Sequence, residues 1–411
     1  MSIVTRYTSY EAVCKELDRR RRVALGFERI EALLKLLGDP HRSLQIVQVV
    51  GTNGKGTTAV ALANVLEAAG HSSGAYLSPH VLSYTERTML RGSFVSKDEF
   101  AAAMGKTIEV ADANDIRATQ FELLTAGALA MFRKAGLEWA VLEAGLGARH
   151  DATSVAQPEA VVLTNVSLDH TEYLGGTVKK IAEEKLASLR PGTVLVLGAD
   201  EPQVVEVARR EAARVGVRIV EHEETGQQFV GVPYLVCNER LGVRAAEALL
   251  GRPLRQEERE AALRVQLPAR FEVHELHEVP VVVDGGHNPK GLNAALEAVR
   301  RNYRGQPLGV VFGVLKDKDA VGMLNVLKRE AAALVLTLPE NAGGRALDPW
   351  WLKKEYEPRD ARGRRARVAR NACDALRLAV GEMEKAGGVV LVTGSLYTGA
   401  GVLRWLRNGR Y

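Results

Sequence analysis

Aromatic residues make up only 5% of the 411-residue chain, which leaves little material for a base-stacking platform and argues against a nucleic-acid partner. Charge of one sign is also missing: 55 Lys and Arg against 50 Asp and Glu give +5, a small excess at this length. Cysteine is nearly absent. Cys14, Cys237 and Cys373 are odd in number, far apart and form no C-x-x-C, which excludes a disulfide framework or a zinc site and points to free thiols in a reducing compartment. No run approaches the roughly 18 consecutive apolar residues of a membrane helix. Met1–Arg22 has neither the apolar core nor the small-residue cleavage site of a signal peptide. A cytoplasmic protein with no membrane or nucleic-acid partner is expected. What is present is ordinary for a globular protein, 46% hydrophobic and 26% charged. The length predicts two domains of roughly 100–250 residues each.

Short, continuous apolar runs alternate with helical patterns. Strands are predicted at Ile46–Val50, Trp139–Glu143, Ala160–Thr164 and Thr193–Leu197, then at Val281–Asp284, Leu308–Phe312, Ala333–Leu338 and Val389–Thr393. Helices are predicted between them, such as Thr58–Ala69, Phe121–Ala135, Val178–Leu189, Glu201–Val215, Pro289–Asn302 and Ala372–Ala386, with a capping box at Ser96–Glu99. This alternation predicts an α/β protein with parallel sheets. The division is placed at 278/279, with a nucleotide-binding domain over 1–278 and a smaller α/β domain over 279–411. The charged run Lys353–Arg370 reads as a solvated surface segment.

The sharpest local signal is Val49–Thr58, VVGTNGKGTT, a buried strand entering a glycine-rich turn, a lysine and hydroxyl residues that open a helix. Gly51, Gly54 and Gly56 let backbone N–H groups turn inward around a phosphate. Lys55 can reach the β- and γ-phosphates, the helix start places its positive end there, and a hydroxyl from Thr57 or Thr58 can face phosphate or magnesium. Asn53 completes the loop. The spacing departs from G-x-x-x-x-G-K-[ST], since Val49 stands at the first glycine position and Gly56 separates Lys55 from Thr57. An ATP or GTP site is expected.

Further motifs follow in order: Ser78-Pro79-His80 with Glu86-Arg87, Glu143–Thr153 (EAGLGARHDAT), Leu168–Gly175 (LDHTEYLG), Glu183-Glu184-Lys185, Leu267–Glu272 (LPARFE), Asp284–Asn288 (DGGHN), Phe312–Asp319 (FGVLKDKD) and Thr393–Tyr397 (TGSLY). From about Gln45 to Arg404 the series resembles folylpolyglutamate synthase and its dihydrofolate synthase relatives in the Mur ligase superfamily. The resemblance implies a Mur-ligase-like P-loop domain followed by a Rossmann-like glutamate-ligase domain in a monomer. It also implies ATP-dependent amide formation: ATP phosphorylates a carboxylate of folate or dihydropteroate, and the amine of L-glutamate attacks the acyl phosphate. Phosphorylation supplies the leaving group that a carboxylate lacks, and water must be kept out. A ligase for another carboxylate acceptor remains open, as does a nucleotide-dependent switch.

The same resemblance assigns one or two Mg²⁺ ions to Ser78, Glu143, His170 and Lys185. Glu143, His170 and Lys185 are the implied catalytic set, with Lys185 carbamylated into an oxygen ligand. Glu143 and His170 also fall at strand ends, where open α/β sheets bind ligands. Arg270, Asp284 and His287 are assigned to the nucleotide, as is Asn238, which reads equally as a helix cap. On the acceptor side stand Thr119, Gln120, Phe121 and Glu122, with Phe121 either against a flat heterocycle or in the helix core. His150, Asp151 and Ala152 complete that set. Ala148, His150 and Ser154 depart from the family pattern beside the expected pterin pocket, Ala269 departs in LPARFE, and Leu186 and Ala187 follow Lys185 where Ala and Gly are usual.

Overall fold

A computed structural model describes residues 7–221, 231–263, 266–357 and 365–408. Among the described residues, fourteen strands form two sheets: β1 (Gln45–Val50), β2 (Ser73–Tyr76), β3 (Thr88–Leu90), β4 (Ser93–Phe94), β5 (Trp139–Glu143), β6 (Ala160–Leu163), β7 (Val194–Leu197) and β8 (Arg218–Glu221) in the first, then β9 (Glu272–Leu276), β10 (Val279–Val283), β11 (Leu308–Phe312), β12 (Ala333–Leu336), β13 (Arg367–Val368) and β14 (Val389–Thr393) in the second. The eight strands predicted from the sequence are all present, with ends within two residues. The protein is α/β, as expected.

The first sheet runs β4-β3-β2-β5-β1-β6-β7-β8. From β2 to β8 all pairs are parallel, whereas β3 and β4 fold back antiparallel at one edge. Every residue of β5 and β6 is buried, because helices cover both faces. The helix Lys55–Ala68 is buried almost all round and packs against β1, β2 and β5. Helices Lys97–Ala113 and Gln120–Lys134 share an apolar cluster with Tyr10–Arg19, which contributes Val13 and Leu17. Among the described residues, no helix is long and apolar enough to cross a membrane.

The second sheet runs β13-β12-β11-β14-β10-β9 and is parallel except for β9. The chain divides into Met1–Gln228 with Val236–Val265, and Phe229–Leu235 with Gln266–Tyr411. That division differs from the expected 278/279 because β9 forms a hairpin with β10, Val279 opposite Leu276 and Val283 opposite Glu272. The hairpin turns on His277 and Glu278, at φ of 51° and 61°. Two residues at positive φ suit the twist of a tight hairpin, but neither is the Gly or Asn that usually marks one. The charged run 353–370 lies partly outside the described residues; its described start belongs to the helix Pro349–Tyr356, which buries Leu352 and Tyr356.

Glu272 anchors the start of this hairpin. Its carboxylate accepts the Ala269 N–H at 3.1 Å and Arg407 Nη2 at 2.8 Å, and meets His274 Nε2 at 2.9 Å. Burial raises the carboxyl, but the bonds from His274, Arg407 and Ala269 outweigh it and hold the group at about 2. A depressed carboxyl stabilises the fold fully above its unfolded value, about 4.3, and this contribution is lost as pH falls towards 2. Urea denaturation at several pH values is therefore expected to show stability falling across that window in the wild type and a flatter profile in Glu272→Gln.

Candidate active site

Strands β2, β5, β1 and β6 are neighbours and parallel, so their carboxyl ends lie along one edge of the sheet. The segments leaving those ends carry Ser78, Glu143, the loop 51–54 and His170. Open α/β sheets bind ligands at this edge.

The glycine loop is held by the segment after β6. Thr52 N–H donates to Asn165 O at 2.8 Å and Asn53 N–H to Asn165 Oδ1 at 3.1 Å. Thr164 Oγ1 and Asn165 Nδ2 donate back to Asn53 O at 2.7 and 2.9 Å. Gly51 has φ +146°, and a Cβ there would lie 1.9 Å from Thr164 Oγ1, so no other residue fits. Gly54, at φ +84°, caps the helix Lys55–Ala68 without a side-chain bond. The first-turn N–H groups of that helix are the donors a phosphate would take. Lys55 Nζ folds over the loop to Thr52 O at 3.2 Å. Gly56 and Thr58 are buried, while Thr57 is half-buried.

Asn238 lies inside the helix Pro233–Leu250, so the alternative reading of it as a cap fails. Its carbonyl accepts Thr58 Oγ1 at 3.1 Å, and its side chain rests on Gly54, where a Cβ would come within 2.1 Å of Oδ1. The structure thus brings Asn238 to the phosphate loop.

Glu143 is 5% exposed, and its Oε2 accepts the Ser78 N–H at 2.8 Å, which ties the ends of β5 and β2 together. The loop after Ser78 is held by Glu86, whose carboxylate takes three backbone N–H groups, from Val81, Leu82 and Ser83, at 2.7, 2.9 and 2.7 Å. Lys185 ends the helix Val178–Lys185, is 6% exposed and donates to Gly51 O at 2.6 Å. Lys179 on the same helix is exposed and pairs with Glu206 at 2.9 Å. His170, at φ 49°, opens the short helix Thr171–Leu174, and its side chain stays 38% exposed. Among the described residues no group of three His, Cys, Asp or Glu could hold a metal by itself. A hydroxyl, a carboxylate and an imidazole at adjoining strand ends suit Mg²⁺, which takes few protein ligands and completes its shell with phosphates and water.

The residues expected on the acceptor side divide in two. Thr119 and Glu122 cap each other's backbone at 3.2 and 2.7 Å, and Glu122 also pairs with Arg29 at 3.0 Å. Gln120 is buried and donates to Tyr84 Oη at 2.6 Å and Leu17 O at 3.2 Å. Asp151 is buried with both oxygens in use: Oδ2 accepts Gly145 and Leu146 N–H at 2.8 Å each, and Oδ1 accepts Thr153 N–H and Oγ1 at 3.0 and 2.6 Å. Burial raises its carboxyl, while the Thr153, Leu146 and Gly145 bonds pull it down. Ala152 is buried beside it. The polar side chains of Thr119, Gln120, Glu122 and Asp151 thus hold the loops in shape. Phe121 is half-buried, 5.8 Å from the Tyr76 ring and pressed on Gly145, and His150 is exposed. Those two retain surface for an acceptor.

Ala148 and Ser154 are buried too, 1% and 5% exposed. Ser154 Oγ donates to Ala148 O at 2.7 Å and Thr153 Oγ1 to Asp151, so both hydroxyls accept from Gln48 Nε2, at 2.8 and 2.7 Å. Gln48 escaped the sequence reading; its signal is a polar residue at the centre of the apolar strand QIVQVV.

In the second unit, Asp284 is 4% exposed and accepts the Phe271 N–H at 3.0 Å, the Gly286 N–H at 2.9 Å and the Tyr234 hydroxyl. Arg270 stands between Ala269 and Phe271, at φ of 53° and 49°, and its guanidinium lies over Gly285. His287 Nδ1 meets Gly285 O at 3.0 Å. The structure therefore gathers Arg270, Asp284 and His287 around one loop. Tyr234, which locks Asp284, was not foreseen.

Residues 49–230 match the Mur ligase middle domain and residues 269–396 the Mur ligase glutamate ligase domain. The folylpolyglutamate synthase of Lacticaseibacillus casei is 30% identical over 427 residues, covering 93% of this chain and 94% of that protein. The structure of Mycobacterium tuberculosis folylpolyglutamate synthase complexed with ADP superposes with a TM-score of 0.89 at 28% identity, covering 98% of each chain. The bifunctional folylpolyglutamate synthase/dihydrofolate synthase of Yersinia pestis, complexed with AMPPNP and Mn, gives a TM-score of 0.83 at 29% identity, covering 99% of this chain and all of that one.

Removing the Ser154 hydroxyl leaves the Ala148 carbonyl only the longer bond from Asp151 N–H, at 3.4 Å, and leaves one Gln48 donor without a partner in a buried place. Ser154→Ala is expected to destabilise the protein by roughly 1–3 kcal/mol. The relative use of different acceptors should stay unchanged, as measured by chemical denaturation and by product ratios.

Proposed function

The chain belongs to the folylpolyglutamate synthase/dihydrofolate synthase family of Mur ligases, and we propose that its strand-end site activates the acceptor's carboxylate as an acyl phosphate. The protein is an ATP-dependent ligase that joins L-glutamate to folates; dihydropteroate is proposed as a second acceptor. The observation that carries this reading is the phosphate loop and the Ser78–Glu143 pair at adjoining strand ends, with Lys185 reaching the loop from its helix to bond Gly51 O.

In this reading the first-turn N–H groups after Gly54 and the Lys55 ammonium hold the ATP phosphates. Asn238, fixed against Gly54, borders the nucleotide. Ser78, Glu143 and His170 hold Mg²⁺, which supplies neutralisation of phosphate charge when bound. The acceptor carboxylate attacks the γ-phosphorus, ADP leaves, the glutamate amine attacks the acyl carbonyl, and phosphate departs. Arg270, Asp284 and His287 are proposed as nucleotide-binding residues. Lys185 is proposed to carry a carbamate, formed from the neutral amine and CO₂, which would turn the cation into an oxygen ligand. Phe121 and His150 are the acceptor contacts that the geometry supports. We place the enzyme in the cytoplasm, acting as a monomer; none of its three cysteines forms a disulfide.

A mass-resolved assay with ATP, Mg²⁺ and L-glutamate, offering dihydropteroate and reduced folates in parallel, tests the proposal. Products heavier by one glutamyl unit from both acceptors are expected, with one ADP formed per amide. Product from folates alone removes the second acceptor, and ADP formation independent of glutamate contradicts ligation. Lys55→Ala should lose ATP-dependent turnover while its thermal unfolding stays close to wild type; normal turnover would remove Lys55 from the phosphate site.

A further inference from the structure

Arg87 is 5% exposed, so its cation has largely left water, and such a charge needs an anionic partner to offset desolvation. Other partly covered arginines in this protein have one: Arg29 pairs with Glu122 at 3.0 Å and Arg20 with Asp112 at 2.6 Å. Arg87 pairs with no carboxylate among the described residues. Its Nε donates to His80 Nδ1 at 2.8 Å, and its guanidinium carbon lies 5.6 Å from the Tyr84 ring centroid. Neither terminal amino group has an acceptor among the described residues. The adjacent Glu86 is committed to the backbone of Val81, Leu82 and Ser83, and Asp18 accepts the Tyr84 hydroxyl at 2.6 Å.

The surroundings say what would fill this gap. The Arg87 carbonyl accepts the Leu77 N–H at 2.9 Å, one residue before Ser78. Tyr84, beneath the guanidinium, is bonded to Gln120, and Tyr76, whose hydroxyl feels the Arg87 charge, has its ring against Phe121. The cation therefore stands between the metal-side loop and the aromatic residue that keeps surface for the acceptor. We propose that Arg87 receives the reacting carboxylate of the acceptor, its two terminal amino groups gripping both oxygens as a planar fork. The inference rests on the ligase reading and adds a specificity residue to it: the site recognises a free acid and rejects its ester or amide.

The test uses dihydropteroate and its carboxamide, and tetrahydrofolate and its γ-carboxamide, titrated onto wild type, Arg87→Gln and Arg87→Lys, with ATP binding measured alongside. Wild type is expected to prefer each free acid by about tenfold or more. Arg87→Gln should lose that preference by weakening the acid alone, with ATP affinity unchanged. An unchanged preference in Arg87→Gln, or equal weakening of acid and amide, overturns the proposal. Should Arg87→Gln fail to fold, Arg87→Lys decides: it keeps the charge but not the fork, so a preference equal to wild type overturns the proposal, and a loss of about threefold or more upholds it. Wild type that binds neither acid, or forms no amide, defeats the ligase reading itself and the inference with it.

Discussion

Parallel strands of one sheet all finish on the same edge, and the site depends on that geometry. Residues 51–55, 78, 143 and 170 are far apart in the chain, yet they lie at or after the ends of β1, β2, β5 and β6, four adjacent strands. The buried apolar strands fix the register, because each must keep both faces under helices. Loops leaving such strands can carry polar groups that no core could accommodate. The chemistry is thus set out by the sheet, and only its fine placement is left to side chains.

That placement is done by buried polar groups bonded to backbone. Glu86 gathers the N–H groups of the loop after Ser78, Asp151 those of the loop after Glu143, and Asn165 holds the phosphate loop from the neighbouring strand end. Each is costly to leave unsatisfied and therefore specific. The family motifs mix two kinds of residue. Some, such as Asp151 and Glu122, make the loops rigid; others, such as Lys55, His170 and Phe121, keep surface for a ligand. A motif read from sequence does not separate them.

Most of the fold was legible because buried parallel strands are short continuous apolar runs, and β5 and β11 read unambiguously. The β9–β10 hairpin was not, since its turn uses His277 and Glu278 at positive φ without a glycine or asparagine. The helix Tyr10–Arg19 escaped because it buries only Val13 and Leu17, a stripe too narrow to stand out. At the site, the phosphate loop was legible from its glycines, lysine and threonines. Gln48 and Tyr234 were not, because a lone amide in an apolar strand and a tyrosine at a helix start show their roles only once their partners are in place. The bonds of Ser154 to Gln48 and Ala148 stayed hidden for the same reason.

The most direct test of the strand-end site is Mn²⁺ binding, followed by electron paramagnetic resonance, with a non-hydrolysable ATP analogue. Wild type is predicted to bind the Mn²⁺–nucleotide complex more tightly than Glu143→Ala, with the spectrum of the bound ion altered in that variant. Equal affinity and an identical spectrum in the two proteins would contradict the placement of metal and phosphates at the ends of β2, β5, β1 and β6.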